Sequence, residues 1–274
     1  MSLASVRIRP SIILFGDSIT EFAFGEGGQV GWASLLSSAY SRRADVLSRG
    51  FSGYNTQHAL GIMDSIFGNG TALNSDGEDN RSDPKQVTGW TTTPLLFCTV
   101  FFGANDASLP TARQHLPIEE YDRNLRKMIT KIRKSTYYYV DKNTSITETV
   151  PIILFTPPPV SSKAWDHFCT VTSPRPLSPR SNKSAREYGM KVKKIGEEMD
   201  CTVVDTFSIL GGDRSEDYYS QFLTDGLHLN GQGNTIVFNE LMNAIKIHHN
   251  RLLPMIDGSE NGVQLEEKVW SELC

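Results

Sequence analysis

Five short apolar runs punctuate this chain, at Ile12 to Phe15, Val46 to Ser48, Leu95 to Phe102, Ile152 to Phe155 and Thr202 to Val204. Each is continuous rather than alternating, which is the pattern of a parallel strand covered on both faces; a sheet with one wet face would alternate apolar and polar residues. Between the runs lie segments with the 3.6-residue periodicity of helices. Trp32, Leu35, Leu36 and Tyr40 share one face of the first, and a second runs from about Thr56 to Phe67. Ile118, Tyr121, Leu125, Met128, Ile129 and Ile132 form a longer stripe in the third. A fourth covers about Asn182 to Met199, and the last begins near Asn230 and continues through Ile236, Leu241 and Ile245. Regular alternation of strand and helix predicts an α/β fold, a parallel sheet sandwiched between two helix layers.

One domain accounts for this pattern over residues 1–253. At 274 residues a chain buries about three quarters of its unfolded surface and needs no disulfide or metal to be stable. The four cysteines, Cys98, Cys169, Cys201 and Cys274, are far apart and form no CxxC pair, so no zinc site is expected. Cys98 and Cys201 sit in apolar runs and read as small buried hydrophobes. Two stretches break the alternation: a polar insertion at about 68–93, and Ser161 to Arg180, rich in Ser and Pro. Each is long for a loop in a compact domain, so the expectation is either disorder or a place in a functional rim. The tail over 254–274 ends in Leu265, Val269, Trp270 and Leu273, a spacing that permits a short helix.

Charge and hydropathy exclude several classes. With 27 basic against 31 acidic residues and no basic stripe, the electrostatic footprint of a nucleic-acid binder is missing. No apolar run approaches the roughly 20 residues of a membrane span. The N-terminal segment has no long apolar core followed by a small-residue cleavage site, which predicts an intracellular, cytoplasmic and reducing setting. On that reading the N-x-S/T matches at Asn69, Asn80, Asn143 and Asn182 mark only polar loops.

In an open parallel sheet, ligands bind beyond the carboxyl ends of the strands. Past the first strand comes Gly16-Asp17-Ser18; past the second, Gly50 to Thr56 with Gly53 in the middle; past the third, Gly103-Ala104-Asn105-Asp106; past the fifth, Asp225-Gly226-Leu227-His228 before the last helix. A serine, an imidazole, a carboxylate, an amide and glycine backbone are the parts needed for acyl transfer. His228 in its neutral form would take the proton of Ser18, Asp225 would hold the imidazole tautomer, and the N–H groups of Ser18 and Gly53 with the amide of Asn105 would bind the oxyanion. Taken singly, each is equally a turn: Gly-Asp-Ser a capped strand end, Asp225-Gly226 a turn dipeptide, Asn105 and Asp106 an Asx turn. Their placement at successive strand ends is what independent turns do not explain.

GDSIT at 16–20, the glycine of RGFSGYNT at 49–56, GAND at 103–106 and DGLHLN at 225–230 resemble the four blocks of the SGNH, or GDSL, hydrolase family. FGDSITEF, the three prolines after the fourth strand and DGLHLNGQGN are similar, more narrowly, to the isoamyl acetate-hydrolysing esterase group. The resemblance runs from about Ile12 to His248. It implies a three-layer α/β/α sandwich with a five-stranded parallel sheet of flavodoxin-like order 2-1-3-4-5, Ser18 as nucleophile, His228 as base, Asp225 as its partner, and Ser18, Gly53 and Asn105 as the oxyanion hole. It further implies hydrolysis of carboxylic esters through an acyl-enzyme, with small esters such as acetates of short alcohols as substrates. Thioesters, lysophospholipids and acetylated sugars are the alternatives on the same site, and a flavodoxin-like binding module is the non-enzyme alternative.

No cofactor is expected. The GxSxG elbow, HExxH and a Walker A loop are absent, and Gly25-Glu26-Gly27-Gly28 lacks dinucleotide-binding spacing, reading instead as a loop beside Ser18. His58, His115, His167, His248 and His249 show no metal-ligand spacing. The expected partners are a small ester and water, with no metal and no nucleic acid.

Overall fold

The computed structural model describes residues 9–68, 95–135, 149–172 and 178–254. Nearly all of the polar insertion, the tail helix expected around Leu265 to Leu273, the start of the chain, Cys274 and the motifs at Asn69, Asn80 and Asn143 lie outside the described residues.

Five strands, β1 (Ser11–Gly16), β2 (Asp45–Gly50), β3 (Leu95–Phe101), β4 (Ile152–Phe155) and β5 (Thr202–Val204), form one sheet in the order β2-β1-β3-β4-β5. Every pairing is parallel. The order reverses between β1 and β3, creating the crevice at which sheets of this topology place their ligands. Among the described residues the longer helices are α2 (Trp32–Ala39), α3 (Thr56–Phe67), α4 (Ile118–Ser135), α6 (Asn182–Glu198) and α9 (Gly231–His248).

Alternate residues of the central strands feed two cores. Ile12 and Leu14 of β1 join Trp32 and Leu36 of α2 and Val237 and Leu241 of α9. Ile13 and Phe15 face the other way, toward Met63 of α3, Leu125 of α4 and Val192 of α6. That is why the β1 run is apolar at every position from Ile12 to Phe15: all six residues of the strand are buried. β2 departs from the expectation of cover on both faces. As the edge strand it pairs only with β1, is half-buried throughout, and extends to include Asp45, Arg49 and Gly50.

In α9 the buried stripe includes Val237, Leu241, Ala244 and Ile245, with Ile236 only partly buried. Val237 lies four residues before Leu241, on the same face, whereas Ile236 is off it. Four short helices, α1 (Ser18–Glu21), α5 (Ser162–His167), α7 (Thr206–Ile209) and α8 (Glu216–Ser220), have no counterpart in the sequence pattern; at four to six residues they are too short to show periodicity. Cys98 is fully buried, whereas Cys201 is only partly so. Among the described residues no helix is long and apolar enough to cross a membrane.

Candidate active site

β1 delivers the chain to Asp17, which caps α1 by accepting the Ile19 N–H at 3.0 Å. Asp17 thus follows the strand as a cap and leaves Ser18, the first residue of α1, at the rim of the sheet. Ser18 is largely buried at 7% exposure, and as the first helical residue its N–H has no partner within the helix.

The loop before α9 supplies the imidazole. Asp225 folds over its own turn, its Oδ1 accepting the N–H groups of Leu227 at 2.9 Å and His228 at 2.8 Å. Its Oδ2 lies 2.6 Å from His228 Nδ1. The far nitrogen, Nε2, lies 2.8 Å from Ser18 Oγ, across 210 positions of sequence. Gly226 has φ +94°, and a Cβ there would come within 2.6 Å of the Trp165 backbone nitrogen, so only glycine lets this turn lie against α5. Burial acts to raise the Asp225 carboxyl, but the hydrogen bonds from the His228 side chain and from the two backbone groups outweigh it and hold the pKa below the usual carboxylate value. Asp225 thus stays ionised beside Nδ1, the condition for Nδ1 to carry the proton and Nε2 to accept one from Ser18.

Aromatic rings fix the imidazole in place. Phe22 stands edge-on at 5.3 Å between centroids and Trp165 of α5 at 5.9 Å. The sequence offers no periodic signal for either.

The β2–α3 turn runs from Phe51 to Tyr54, closed by Tyr54 N–H to Phe51 C=O at 3.1 Å. Gly53 occupies its third position with φ +77°, a conformation glycine adopts without strain. Glu21 braces the turn by accepting the Ser52 N–H at 2.6 Å. Asn105 reaches the same turn, its Nδ2 donating to Tyr54 C=O at 2.9 Å. Its Oδ1 accepts from Arg180 Nη2 at 2.8 Å, so the side chain serves two distant segments. Asp106 likewise looks outward from its turn: its Oδ1 takes the Thr56 N–H at 2.9 Å and hydroxyl at 2.5 Å, capping the region where α3 begins.

Arg180, at the end of the Ser- and Pro-rich stretch, is 5% exposed. It also donates from Nη1 to Ala104 C=O and lies over the Trp165 ring, 5.1 Å from its centroid. Burial lowers its pKa to about 10, which leaves it cationic at neutral pH. Two buried carboxyls, Asp17 and Asp106, interact electrostatically with it. Burial pushes Asp17 up to about 6 and Asp106 up to about 7, and the second oxygen of each has no hydrogen-bond partner among the described residues.

A cavity of about 330 Å³ opens beside His228. Ile19, Phe22, Phe168 and Leu229 give it apolar walls, and Glu26 and Gly27 of the glycine-rich loop form part of its edge. The loop thus borders the same cavity as Asp225 and His228. Among the described residues no group of three or more potential metal ligands occurs.

Residues 14–236 match the model of the GDSL-like lipase/acylhydrolase family. The chain belongs to that family. This GDSL hydrolase is 36% identical over 242 residues to the mouse isoamyl acetate-hydrolyzing esterase 1 homolog, covering 86% of this chain and 82% of the mouse protein. It is 33% identical over 245 residues to a GDSL esterase/lipase of Arabidopsis thaliana, covering 87% and 86% of the two chains. Among solved structures, the lipase/acylhydrolase from Enterococcus faecalis superposes with a TM-score of 0.57 at 21% identity, over 90% of this chain and 100% of that one; at that identity the likeness is one of fold. Membership of the family and the two curated relatives together make this GDSL hydrolase a serine ester hydrolase.

Proposed function

We propose that this enzyme hydrolyses small carboxylic esters, with Ser18 as nucleophile, His228 as general base and acid, and Asp225 as the group that orients and stabilises the imidazole. The observation that carries the reading is the unbroken chain from Asp225 Oδ2 to Nδ1 at 2.6 Å and from Nε2 to Ser18 Oγ at 2.8 Å. In the first half-reaction Ser18 Oγ attacks the ester carbonyl carbon while its proton passes to His228 Nε2. The tetrahedral oxygen takes hydrogen bonds from the Ser18 and Gly53 N–H groups and from the Asn105 amide. Collapse of the intermediate expels the alkoxide, which leaves as the alcohol with the proton from Nε2, and an acyl group remains on Ser18. Water then repeats the sequence: Nε2 takes its proton, the hydroxyl attacks the acyl carbon, and Ser18 recovers its proton as the acid departs.

The cavity supports the preference for short esters. At about 330 Å³ it lies at the small end of ligand sites, which run from roughly 300 to 1,000 Å³, and its lining mixes apolar side chains with Glu26, Gln29, Thr224 and Asn234. The relatives named for isoamyl acetate hydrolysis point the same way. Kinetics on acetyl, butyryl and palmitoyl esters, an acyl thioester, a lysophospholipid and an acetylated sugar distinguish the substrate classes. The highest kcat/KM is expected on the short neutral esters, and a steady rise toward palmitoyl overturns the small-ester assignment. Ser18→Ala is expected to fold and lose nearly all turnover, retaining only what binding and the oxyanion hole contribute. Wild-type rates in that variant remove Ser18 from the mechanism.

A further inference from the structure

We infer that Arg180 is the positioning residue that turns Asn105 into a hydrogen-bond donor for the oxyanion, an inference that rests on the assignment of Asn105 proposed above. An asparagine amide presents two donors on one side and an acceptor on the other, and rotation by half a turn exchanges them. Only one of these orientations offers N–H to a negatively charged oxygen. Something must therefore choose between them.

The neighbours of Asn105 make that choice. Arg180 Nη2, 2.8 Å from Oδ1, can only donate. The Tyr54 carbonyl, 2.9 Å from Nδ2, can only accept. Reversing the amide would set NH₂ against a guanidinium and a carbonyl against a carbonyl, losing both bonds and leaving buried polar groups unpaired. In the observed orientation one N–H of Nδ2 is taken by Tyr54, and the other is left for a ligand. The cation also draws electron density toward Oδ1, which strengthens the donor at the far end of the same amide.

Arg180 is itself held at three points. Nη1 donates to Ala104 C=O, Nη2 to Asn105, and the guanidinium lies over Trp165. Ala104 immediately precedes Asn105, so the fork grips the backbone and the side chain of one short segment together. Lysine, with a compact ammonium, does not reproduce a planar two-pronged contact. The arginine is almost fully buried, which makes its placement a fixed part of the interior rather than a surface contact.

The experiment is a double-mutant cycle using 4-nitrophenyl acetate, with circular dichroism and thermal unfolding to establish that each variant is folded. Asn105→Ala is expected to lower kcat by about 10²–10³-fold, as for other side-chain donors to an oxyanion. Arg180→Met is expected to lower kcat by about 10-fold or more with KM within about 3-fold, the signature of an interaction realised in the transition state. In the Asn105→Ala background the same change should cost less than about 3-fold in kcat, because the residue through which Arg180 acts is gone. Arg180→Lys carries the same cycle if the methionine variant does not fold, with the same order of losses. Equal losses in both backgrounds overturn the inference, as does a rise in KM with kcat unchanged. Failure of the esterase mechanism reads differently: Ser18→Ala then keeps its turnover, whereas failure of this inference alone leaves Ser18→Ala inactive and the Arg180 effect additive.

Discussion

The indole of Trp165 stands edge-on to the imidazole of His228, with ring centroids 5.9 Å apart and planes inclined by 69°. The indole N–H donates to Ser178 C=O at 3.0 Å, so the ring is anchored as well as packed. With Phe22 on the same imidazole, it limits how far His228 can swing away from Ser18. Trp165→Ala is expected to cost about 3–5 kcal/mol of stability as a large core truncation. It should also lower kcat about 10–100-fold through misplacement of the base. Trp165→Phe, which keeps a ring edge, should fall between alanine and wild type in both measurements, made by denaturant titration and steady-state kinetics. Unchanged kcat in a folded alanine variant would show that the ring supports only the fold.

Asp225 offers a test of tautomer control. Asn at this position keeps Oδ1 as acceptor for the Leu227 and His228 N–H groups, so the turn is preserved. Its Nδ2 then faces Nδ1 as a donor, which forces the imidazole proton onto Nε2, the nitrogen that the proposed mechanism uses to accept from Ser18. Asp225→Asn should therefore reduce kcat by about 10⁴-fold with little loss of stability. Loss of the fold, or a kcat near wild type, contradicts this account.

Gly53 separates strain from sterics. A Cβ there would meet only Gln114 Nε2 at 3.5 Å, an ordinary contact, yet φ is +77°. Gly53→Ala should destabilise by about 1–2 kcal/mol from the left-handed backbone alone. Any relaxation of the turn moves the Gly53 N–H, so kcat should fall more than KM rises, as kinetics beside thermal unfolding would reveal.

Asp106 predicts how stability depends on pH. Its pKa is raised in the fold to about 7 from an ordinary value of 3.8, so between those values the folded state binds more protons than the unfolded one. Stability must then fall as pH rises through this window, by on the order of 2 kcal/mol between pH 5 and 8 from this group. Asp17, raised to about 6, acts in the same direction. Asp106→Asn removes the first contribution while Oδ1 still accepts from Thr56, so its urea midpoint should decline less from pH 5 to 8 than that of wild type. Parallel declines in the two proteins would refute the assignment.

The sheet was legible because continuous apolar runs have one simple explanation, strands buried on two faces, and because the runs alternate with helical stripes. Ser18, Gly53, Asn105, Asp225 and His228 were legible as candidates because strand ends carry function in such sheets. Arg180 and Trp165 were not. A buried arginine looks in sequence like any surface cation, and its partners Asn105 and Ala104 lie 75 and 76 positions away. Trp165 belongs to a helix of six residues, too short for a periodic face, inside a stretch whose serines and prolines suggest only a loop. The partial burial of Ile236 and of β2 was hidden for a related reason: composition names the apolar residues, while the angle around a helix and the position in a sheet decide which are covered.

The 210 positions between Ser18 and His228 also set an order of events during biosynthesis. Ser18, proposed as the nucleophile, is made with the end of the first strand. His228 and Asp225, proposed as its base and the carboxylate behind it, follow only on the turn before α9. Between them the chain must add one strand on one side of β1 and three on the other, contacts of high sequence separation that form slowly. On the proposed mechanism Ser18 therefore stays unactivated from the time β1 is made until the turn carrying Asp225 and His228 follows.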